Sequence, residues 1–239
     1  MKKYIIANFK MYKNLEEAED YATKLKDLVS ECKEEVVVCP SFICIERMAK
    51  ILEGTNISVG AQNCAEQLEG AYTGEVSAHM LKSAQAKYVI IGHSERRRYF
   101  DETDEKIARK VSQTLKEDLI PVICLSDEGE GDLNLTIKKQ LDVILKENNH
   151  TSIILAFEPV WAIGTGKTME LNDIEETLSL VKNMAKEYLG YMPPVLYGGS
   201  VTALNSKDIL VLNSVDGVLV GGASKNPFEF AKICMSQME

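Results

Sequence analysis

The 239-residue sequence lacks the features that would direct a chain into a membrane or out of the cell. No apolar run approaches the roughly 20 residues that a membrane-spanning helix needs. After Met1-Lys2-Lys3, the first apolar stretch covers only residues 4–9, which is too short for the hydrophobic region of a secretory signal. These absences favour a cytoplasmic protein with no membrane partner.

The sequence also lacks an excess of positive charge and any cluster of metal-binding side chains. Its formal net charge is -9, whereas nucleic acids and acidic membrane surfaces call for a basic face. The six cysteines form no CxxC pair and do not cluster with the three histidines, so neither a zinc site nor a redox dithiol is indicated. Nucleic acid is therefore not an expected partner, whereas anionic small molecules need only local cations.

No linker, block of like charges or low-complexity segment interrupts the alternation of short apolar runs with amphipathic helical patterns. Most runs are rich in Val and Ile and lack polar alternation, as in parallel strands buried on both faces. Eight β-then-α units predict an α/β fold, a single-domain (β/α)8 barrel over residues 1–239 with eight parallel strands ringed by helices. The predicted strands are residues 4–9, 36–40, 57–62, 88–92, 120–125, 153–158, 195–198 and 217–221.

Three predicted helices carry start signals in the sequence. Asn14 is placed as the N-cap of the helix after the first strand. Asn172 and Glu175 resemble a capping box at the start of a later helix. Asn226 followed by Pro227 suits the start of the last helix. The acidic stretch of residues 127–132 is interpreted as a solvated loop.

Polar residues at the predicted strand ends are the candidates for a site, because barrels of this architecture place their active sites there. Asn8 and Lys10 finish the first strand, His93 and Glu95 follow the fourth, and Glu158 closes the sixth. Glycine pairs follow the seventh and eighth strands, where barrels commonly bind phosphate through the main chain. These pairs lie in Gly198-Gly199-Ser200 and Gly221-Gly222.

The segment Glu158-Pro159-Val160-Trp161-Ala162-Ile163-Gly164-Thr165-Gly166-Lys167 joins a carboxylate at the end of a buried strand to a loop suited to movement. Burial makes a carboxylate a stronger base, which suits removal of a carbon-bound proton. Gly164 and Gly166 can absorb large backbone changes, while Trp161 and Ile163 give the loop an apolar face. The segment predicts a general base beneath a lid.

His93 and Lys10 complete the candidate chemistry. Ser94-Glu95-Arg96-Arg97-Arg98 predicts a short helix whose positive end would disfavour protonation of the preceding His93. A neutral imidazole at this place can donate a hydrogen bond to a carbonyl oxygen. Lys10 offers the cation that a phosphate and an enediolate need, and Glu95 is a candidate partner to hold it.

Six segments, in order along nearly the whole chain, resemble those of the triosephosphate isomerase family. Each is weak to moderate evidence alone, but six at family-like spacing are highly specific. The base, neutral-imidazole and lid roles are already known for this family, so the resemblance supplies them. The segments are Asn8-Phe9-Lys10-Met11, Gly70-Ala71-Tyr72-Thr73-Gly74-Glu75, Ile91-Gly92-His93-Ser94-Glu95-Arg96-Arg97, residues 158–167, Tyr197-Gly198-Gly199-Ser200 and Val220-Gly221-Gly222-Ala223.

The resemblance implies an isomerase that interconverts dihydroxyacetone phosphate and D-glyceraldehyde 3-phosphate through an enediolate, with no metal or organic cofactor. Glu158 would move a proton between C1 and C2, and neutral His93 would exchange hydrogen with the two oxygens. Lys10 would stabilise the negative intermediate, and Asn8 would contact the substrate. The phosphate would be held by the main-chain N–H groups of Gly164, Ser200, Gly221 and Gly222.

The resemblance further implies a closing lid and a homodimer. Closure of the loop of residues 159–167 would exclude water and suppress loss of phosphate from the enediolate. The family dimerises through the loop that carries Thr73, which reaches the neighbour's site near Lys10.

Three departures from the family pattern question how firmly Lys10 and the fifth loop are supported. Phe9 stands where Trp is usual, Tyr12 where Asn is common, and Cys124-Leu125-Ser126-Asp127 where Cys-x-Gly-Glu is typical. Two other functions stay open. One is an aldolase-like barrel that uses Lys10 as a Schiff base, and the other is a non-catalytic phosphosugar-binding barrel.

Overall fold

Eight parallel strands form one closed barrel in which each strand pairs with the next and the last pairs with the first. The structure is a computed structural model that describes residues 2–127, 129, 131–146, 152–162 and 168–237. The predicted (β/α)8 fold class is confirmed, with strand ends displaced by one or two residues. The strands are β1 Tyr4–Asn8, β2 Glu35–Cys39, β3 Ile57–Ala61, β4 Tyr88–Ile91, β5 Ile120–Asp127, β6 Ile154–Pro159, β7 Val195–Tyr197 and β8 Gly217–Val220.

Burial on both faces explains the unbroken apolar runs. Ile6, Val37 and Ile90 belong to a small cluster of buried side chains contributed almost entirely by the strands. Their neighbours Ile5 and Val36 belong to a larger cluster shared with the helices. Because successive side chains point to opposite faces of a strand, these clusters are the barrel interior and the strand-to-helix layer.

The barrel closes where β8 meets β1, and this contact requires a glycine. A Cβ atom on Gly217 would lie 2.0 Å from the carbonyl oxygen of Tyr4. That oxygen belongs to the paired strand and cannot move aside while Tyr4 and Gly217 stay in register. Glycine at the start of β8 therefore permits the close approach of the two strands.

Helices lie outside the strands, as in other barrels of this class. In the part of the chain that the structure describes, no helix is long and apolar enough to cross a membrane. The helices are α1 Leu15–Leu28, α2 Ile45–Leu52, α3 Ala78–Ser83, α4 Ser94–Phe100, α5 Asp104–Lys116, α6 Leu133–Ile144, α7 Leu171–Leu189, α8 Ser206–Leu210 and α9 Pro227–Met235. Short 3-10 turns occur at Phe42–Cys44, Val160–Ala162 and Gly222–Lys225.

Two of the three predicted helix starts are confirmed. Asn14 caps α1, because its side chain accepts a hydrogen bond from the N–H of Glu17 at 2.9 Å. The Glu17 carboxylate accepts from the N–H of Asn14, which completes a capping box. Asn226 caps α9 by accepting from the N–H of Phe228 at 2.9 Å, and Pro227 occupies the first helical position. Both caps satisfy backbone N–H groups that have no partner within the helix.

The capping box predicted at Asn172 and Glu175 is wrong. Helix α7 begins at Leu171, and its N-cap is Glu170, whose side chain makes no capping hydrogen bond. The first helical backbone bond runs from the N–H of Ile174 to the carbonyl of Glu170 at 3.0 Å. Asn172 consequently lies inside the first turn, where its side chain cannot act as the cap.

The interpretation of residues 127–132 as a solvated loop is corrected at its two ends, while residues 128 and 130 lie outside the described residues. Asp127 is the last residue of β5 and pairs with Pro159. Asp132 caps α6 by accepting from the N–H groups of Asn134 at 2.8 Å and Leu135 at 3.3 Å. Strand pairing and helix capping use residues that composition alone assigned to solvent.

Candidate active site

Of the strand-end candidates, Asn8, Lys10, His93 and Glu158 line one cavity of about 540 Å³ at the carboxyl ends of the strands, whereas Glu95 lines a second, adjacent cavity. Side chains from the first, fourth and sixth strand ends face main chain from the seventh and eighth. A parallel barrel brings these sequence-distant ends together because all its strands run in the same direction. The lining residues are Asn8, Lys10, Tyr12, His93, Glu158, residues 198–202, Leu219, residues 221–223 and Lys225.

His93 is held in one orientation by the start of α4. It is the N-cap of that helix, and its Nδ1 accepts a hydrogen bond from the N–H of Glu95 at 3.2 Å. A ring nitrogen that accepts carries no proton, so this network assigns the proton of a neutral ring to Nε2. Nε2 lies 3.0 Å from Oε1 of Glu158, to which it donates.

Glu158 lies at the end of β6 with only 1% of its side chain exposed. Its Oε2 accepts from the backbone N–H of Ser94 at 2.8 Å and contacts the hydroxyl of Ser126 at 3.4 Å. Burial raises the pKa of the neighbouring Cys124 thiol well above its ordinary value, and the charge of Glu158 adds to this effect as the second largest cause. The carboxylate is thus held by His93, Ser94 and Ser126 in this conformation.

The end of β5, where Ser126 departs from the family pattern, is fixed by a side chain of α6. Gln140 accepts from the N–H of Ser126 at 3.0 Å and donates to its carbonyl at 2.8 Å. Both residues are buried. A two-point amide contact of this kind fixes the backbone and directs the Ser126 hydroxyl to Glu158.

Lys10 is held from both ends. Its backbone has a positive φ of 52°, which is uncommon for a residue other than glycine. Its N–H donates to Oδ1 of Asn8 at 3.0 Å, and its carbonyl accepts from Gln62 at 2.9 Å. Its Nζ forms an ion pair with Glu95 at 2.6 Å.

Phe9, which stands where Trp is usual, supports the same segment from the core. It is fully buried and packs edge-to-face on Tyr21 of α1, with ring centroids 4.6 Å apart. An edge-to-face pair is a favourable arrangement of two aromatic rings. The smaller ring therefore still connects the first strand to its helix.

The glycine segments after β7 and β8 present main chain to the cavity. Gly222 opens the 3-10 turn Gly222–Lys225, and a Cβ atom there would meet nothing within 4 Å. A Cβ atom on Gly221 would lie 3.1 Å from Cε of Lys10, so glycine keeps room for that side chain. Ser200 also lines the cavity. Turns that expose N–H groups at such a place suit an anion.

The predicted lid is described only at its beginning. Pro159 ends β6, and Val160–Ala162 form a 3-10 turn. Trp161 is 43% exposed, and its ring leaves no room for a Cβ atom on Gly129, which would lie 2.8 Å from Cδ1. The remaining predicted lid residues lie outside the described residues: Ile163, Gly164, Thr165, Gly166 and Lys167. Gly164 was also predicted to bind phosphate.

Thr73, the residue predicted for dimer contact, does not line the cavity. It lies in the exposed loop between β3 and α3. The cavity is consequently built without this loop from the same chain.

Several residues at the cavity or its supports were not among the predicted site residues, and four of them make notable contacts. Tyr12 and Lys225 line it, Gln62 donates to the Lys10 carbonyl, and the Ser224 hydroxyl contacts the carbonyl of Asn8 at 3.0 Å. Gln62 could have been found, because it is a polar residue directly after a strand. Ser224 had no such signal, since its partner is 216 residues away.

The arrangement defines a (β/α)8 barrel with a candidate site for a small anionic ligand. Among the described residues, no group of three or more His, Cys, Asp or Glu side chains could hold a metal ion. The cavity presents carboxylate, imidazole and ammonium groups together with the main chain of the glycine turns.

Comparison with known proteins identifies the family. A family model described as triosephosphate isomerase matches residues 3–237. The triosephosphate isomerase of Caldanaerobacter subterraneus subsp. tengcongensis is 43% identical over 245 residues, which are 98% of this chain and 99% of that protein. That of Clostridium perfringens is 41% identical over 240 residues, 96% and 97% of the two chains. The crystal structure of triosephosphate isomerase from Bartonella henselae superimposes with a TM-score of 0.91 at 31% identity, covering 100% of both chains. The chain belongs to the triosephosphate isomerase family.

Proposed function

We propose that this chain interconverts dihydroxyacetone phosphate and D-glyceraldehyde 3-phosphate, and that residues 1–239 act as one catalytic domain. The observation that carries the proposal is that Lys10, His93 and Glu158 line one cavity together with the Gly221-Gly222 turn. A carboxylate, an imidazole and an ammonium around a three-carbon substrate suit proton transfer beside a carbonyl group.

Glu158 is the proposed base, which removes a proton from one carbon and returns it to the next. In the structure its two oxygens are bonded to His93 Nε2 and to the N–H of Ser94. A substrate oxygen that accepts from His93 Nε2 takes the place of the Glu158 carboxylate as the acceptor of that hydrogen bond. Substrate binding thereby releases the carboxylate to turn towards the carbon.

We propose that His93, Lys10 and Asn8 stabilise the negative charge that develops on the two oxygens, and that Glu95 positions Lys10. The His93 tautomer with its proton on Nε2 can donate to either oxygen. The Lys10 ammonium balances the negative enediolate, while Glu95 fixes its position at 2.6 Å. The Asn8 amide completes the contacts at the end of β1.

The phosphate is proposed to bind main-chain N–H groups of Ser200, Gly221 and Gly222, and of Gly164 when the lid closes. The first three lie in segments that line the cavity. Lid closure would exclude water from the enediolate.

The first test separates this function from the aldolase and the binding-only alternatives. We expect the purified chain to convert D-glyceraldehyde 3-phosphate to dihydroxyacetone phosphate in a coupled assay, with deuterium from heavy water in the product. Borohydride added with substrate should leave no adduct on Lys10 by mass spectrometry, because the Lys10 side chain is held in an ion pair with Glu95 at 2.6 Å and is not placed to attack a carbonyl carbon. A substrate-dependent Lys10 adduct would favour the aldolase, and no turnover would favour the binding-only barrel.

We further propose that the chain acts as a homodimer through the loop that carries Thr73. A second cavity of about 240 Å³ lies beside Lys10 and Glu95, and its lining includes apolar side chains that face water. Met11 is 96% exposed and Phe100 is 62% exposed, which is costly for large apolar groups. A loop of the size of residues 70–75 from a second copy would cover them.

Insertion of a large cation at this loop tests the dimer. We expect Thr73→Arg to raise the dimer dissociation constant at least about tenfold. In the proposed dimer, residue 73 of one copy enters the second cavity of the other, so the arginine would carry a charge into that cavity and lose its water. Analytical ultracentrifugation over a concentration series measures the change. The control is Thr23→Arg, an exposed threonine on α1. Equal effects of the two substitutions, or none from the first, would contradict the proposed interface.

The cytoplasm is the proposed location. All six cysteines are unpaired and buried, as is usual in reducing compartments. Burial raises the pKa of the Cys64 thiol to about 11, which keeps that side chain in its unreactive thiol form.

A further inference from the structure

Lys225 and Tyr12 form an aromatic-cation pair on the wall of the active-site cavity. The Nζ of Lys225 lies 4.5 Å from the centroid of the Tyr12 ring, and both residues line the cavity. Tyr12 is 51% exposed, so the pair faces the solvent-filled part of the site. Tyr12 stands where the family commonly has Asn, which has no ring to hold a cation.

The main chain of Lys225 is anchored on both sides. Its carbonyl accepts from the Nζ of Lys13 at 2.7 Å. Ser224 before it contacts the carbonyl of Asn8, and Asn226 after it caps α9. The side chain therefore starts from a fixed point, at the end of the 3-10 turn that Gly222 opens.

The charge of Lys225 is used differently from that of Lys10. The Lys10 ammonium is paired with the Glu95 carboxylate at 2.6 Å, which offsets its charge at long range. In the described part of the chain, Lys225 has an aromatic rather than an acidic partner. A ring orients an ammonium group through its quadrupole but leaves the full positive charge to act on its surroundings.

This local charge matters because the chain as a whole is acidic, with a formal net charge of -9. An anionic substrate is repelled at a distance, and a positive group at the cavity raises its local concentration. We propose that Lys225, oriented by Tyr12, is an additional anion-capturing residue that attracts the substrate phosphate dianion to the Gly221-Gly222 turn. The inference rests on the proposed function and adds a binding step to it.

The test removes the charge and, separately, the ring. We expect Lys225→Gln to lower kcat/KM about three- to tenfold at low ionic strength with kcat nearly unchanged. The loss should fade at about 0.5 M salt, because screening shortens the range of the charge. Lys225→Arg should retain the wild-type value, and Tyr12→Leu should lose part of it whereas Tyr12→Phe should not. The matched control is Lys33→Gln, an exposed lysine before β2 at the opposite end of the barrel.

Binding of inorganic phosphate, measured by isothermal titration calorimetry, tests the capture step without turnover. We expect Lys225→Gln to weaken binding about three- to tenfold and Lys33→Gln to leave it unchanged. Unaltered phosphate affinity and an unaltered salt dependence of kcat/KM in Lys225→Gln would overturn the inference, as would an equal loss in Lys33→Gln. If the wild-type chain lacks isomerase activity, the calorimetric result still decides the role of Lys225, so the two failures are distinguishable.

Discussion

We expect Glu158→Gln to lower kcat for D-glyceraldehyde 3-phosphate by about 10²–10⁴-fold, the usual contribution of a positioned acid-base group. The amide has the shape of the carboxylate and can still accept from the N–H of Ser94, but it cannot take a proton from carbon. Because the substrate contacts of Lys10 and the glycine turns remain, KM should change little. A loss confined to kcat places the lost interaction in the transition state.

Glu158→Asp gives a second, geometric arm to this experiment. One fewer methylene group withdraws the carboxylate by about 1 Å from the carbon, a displacement that can cost about 10²-fold. Glu53→Gln is the matched control, since Glu53 is exposed between α2 and β3 at the other end of the barrel. Steady-state kinetics and thermal melting are measured on all variants. Wild-type activity in Glu158→Gln would remove the carboxylate from the role of base.

The strands could be predicted because burial on both faces leaves a direct trace in the sequence. Runs such as Val36-Val37-Val38 contain no polar residue. A strand needs apolar residues at every position only when both of its faces are buried. Strand ends were less certain because pairing with a neighbour decides them, as Asp127 and Pro159 show. Asn172 was misassigned for a similar reason, because a cap depends on which backbone N–H groups lack a partner within the helix. The N–H of Ile174 bonds to the carbonyl of Glu170, so the N-cap of α7 lies two residues before Asn172.

The shared location of the candidate residues could be predicted because the fold itself brings the strand ends together. Once eight parallel strands were expected, His93 and Glu158 had to lie at the same end of the barrel. The contacts that orient these two side chains could not be predicted from the sequence. The N–H of Ser94 carries no side-chain signal, and the Gln140 contact with Ser126 joins a helix to a strand end by tertiary packing alone.

A buried ionic network behind the candidate site gives the largest expected effect on stability. Glu102 accepts from Arg96 at 2.7 Å, from Lys110 at 2.6 Å and from the N–H of Gly92 at 3.1 Å. Lys110 also donates to Asn63 at 2.8 Å, and both Glu102 and Lys110 are buried. Gly92 directly precedes His93, so this network also fixes the turn that presents the imidazole.

We expect Glu102→Gln to lower the free energy of unfolding by about 3–5 kcal/mol, because it leaves the buried Lys110 ammonium without a carboxylate. Urea denaturation at fixed protein concentration and pH 7 measures the change. The double variant Glu102→Gln with Lys110→Met removes the orphaned charge as well. It should be more stable than Glu102→Gln alone, and a further loss in the double variant would contradict the explanation by an unpaired charge.

The pH dependence of this effect has a definite sign. Burial alone would raise the pKa of Glu102, but the hydrogen bonds and charges of Lys110 and Arg96 outweigh it, and the pKa is lowered from its ordinary value of 4.5. The unfolded chain then binds more protons than the folded one in the interval between the two values. The stabilisation from Glu102 is accordingly complete above about pH 4.5 and declines as the pH falls through the folded-state pKa. The difference in unfolding free energy between wild type and Glu102→Gln should be constant from pH 7 to pH 5 and shrink towards pH 3. If the difference in unfolding free energy between wild type and Glu102→Gln grew on acidification, the fold would stabilise the protonated carboxyl group. The ionic network could then not be the cause of the stabilisation.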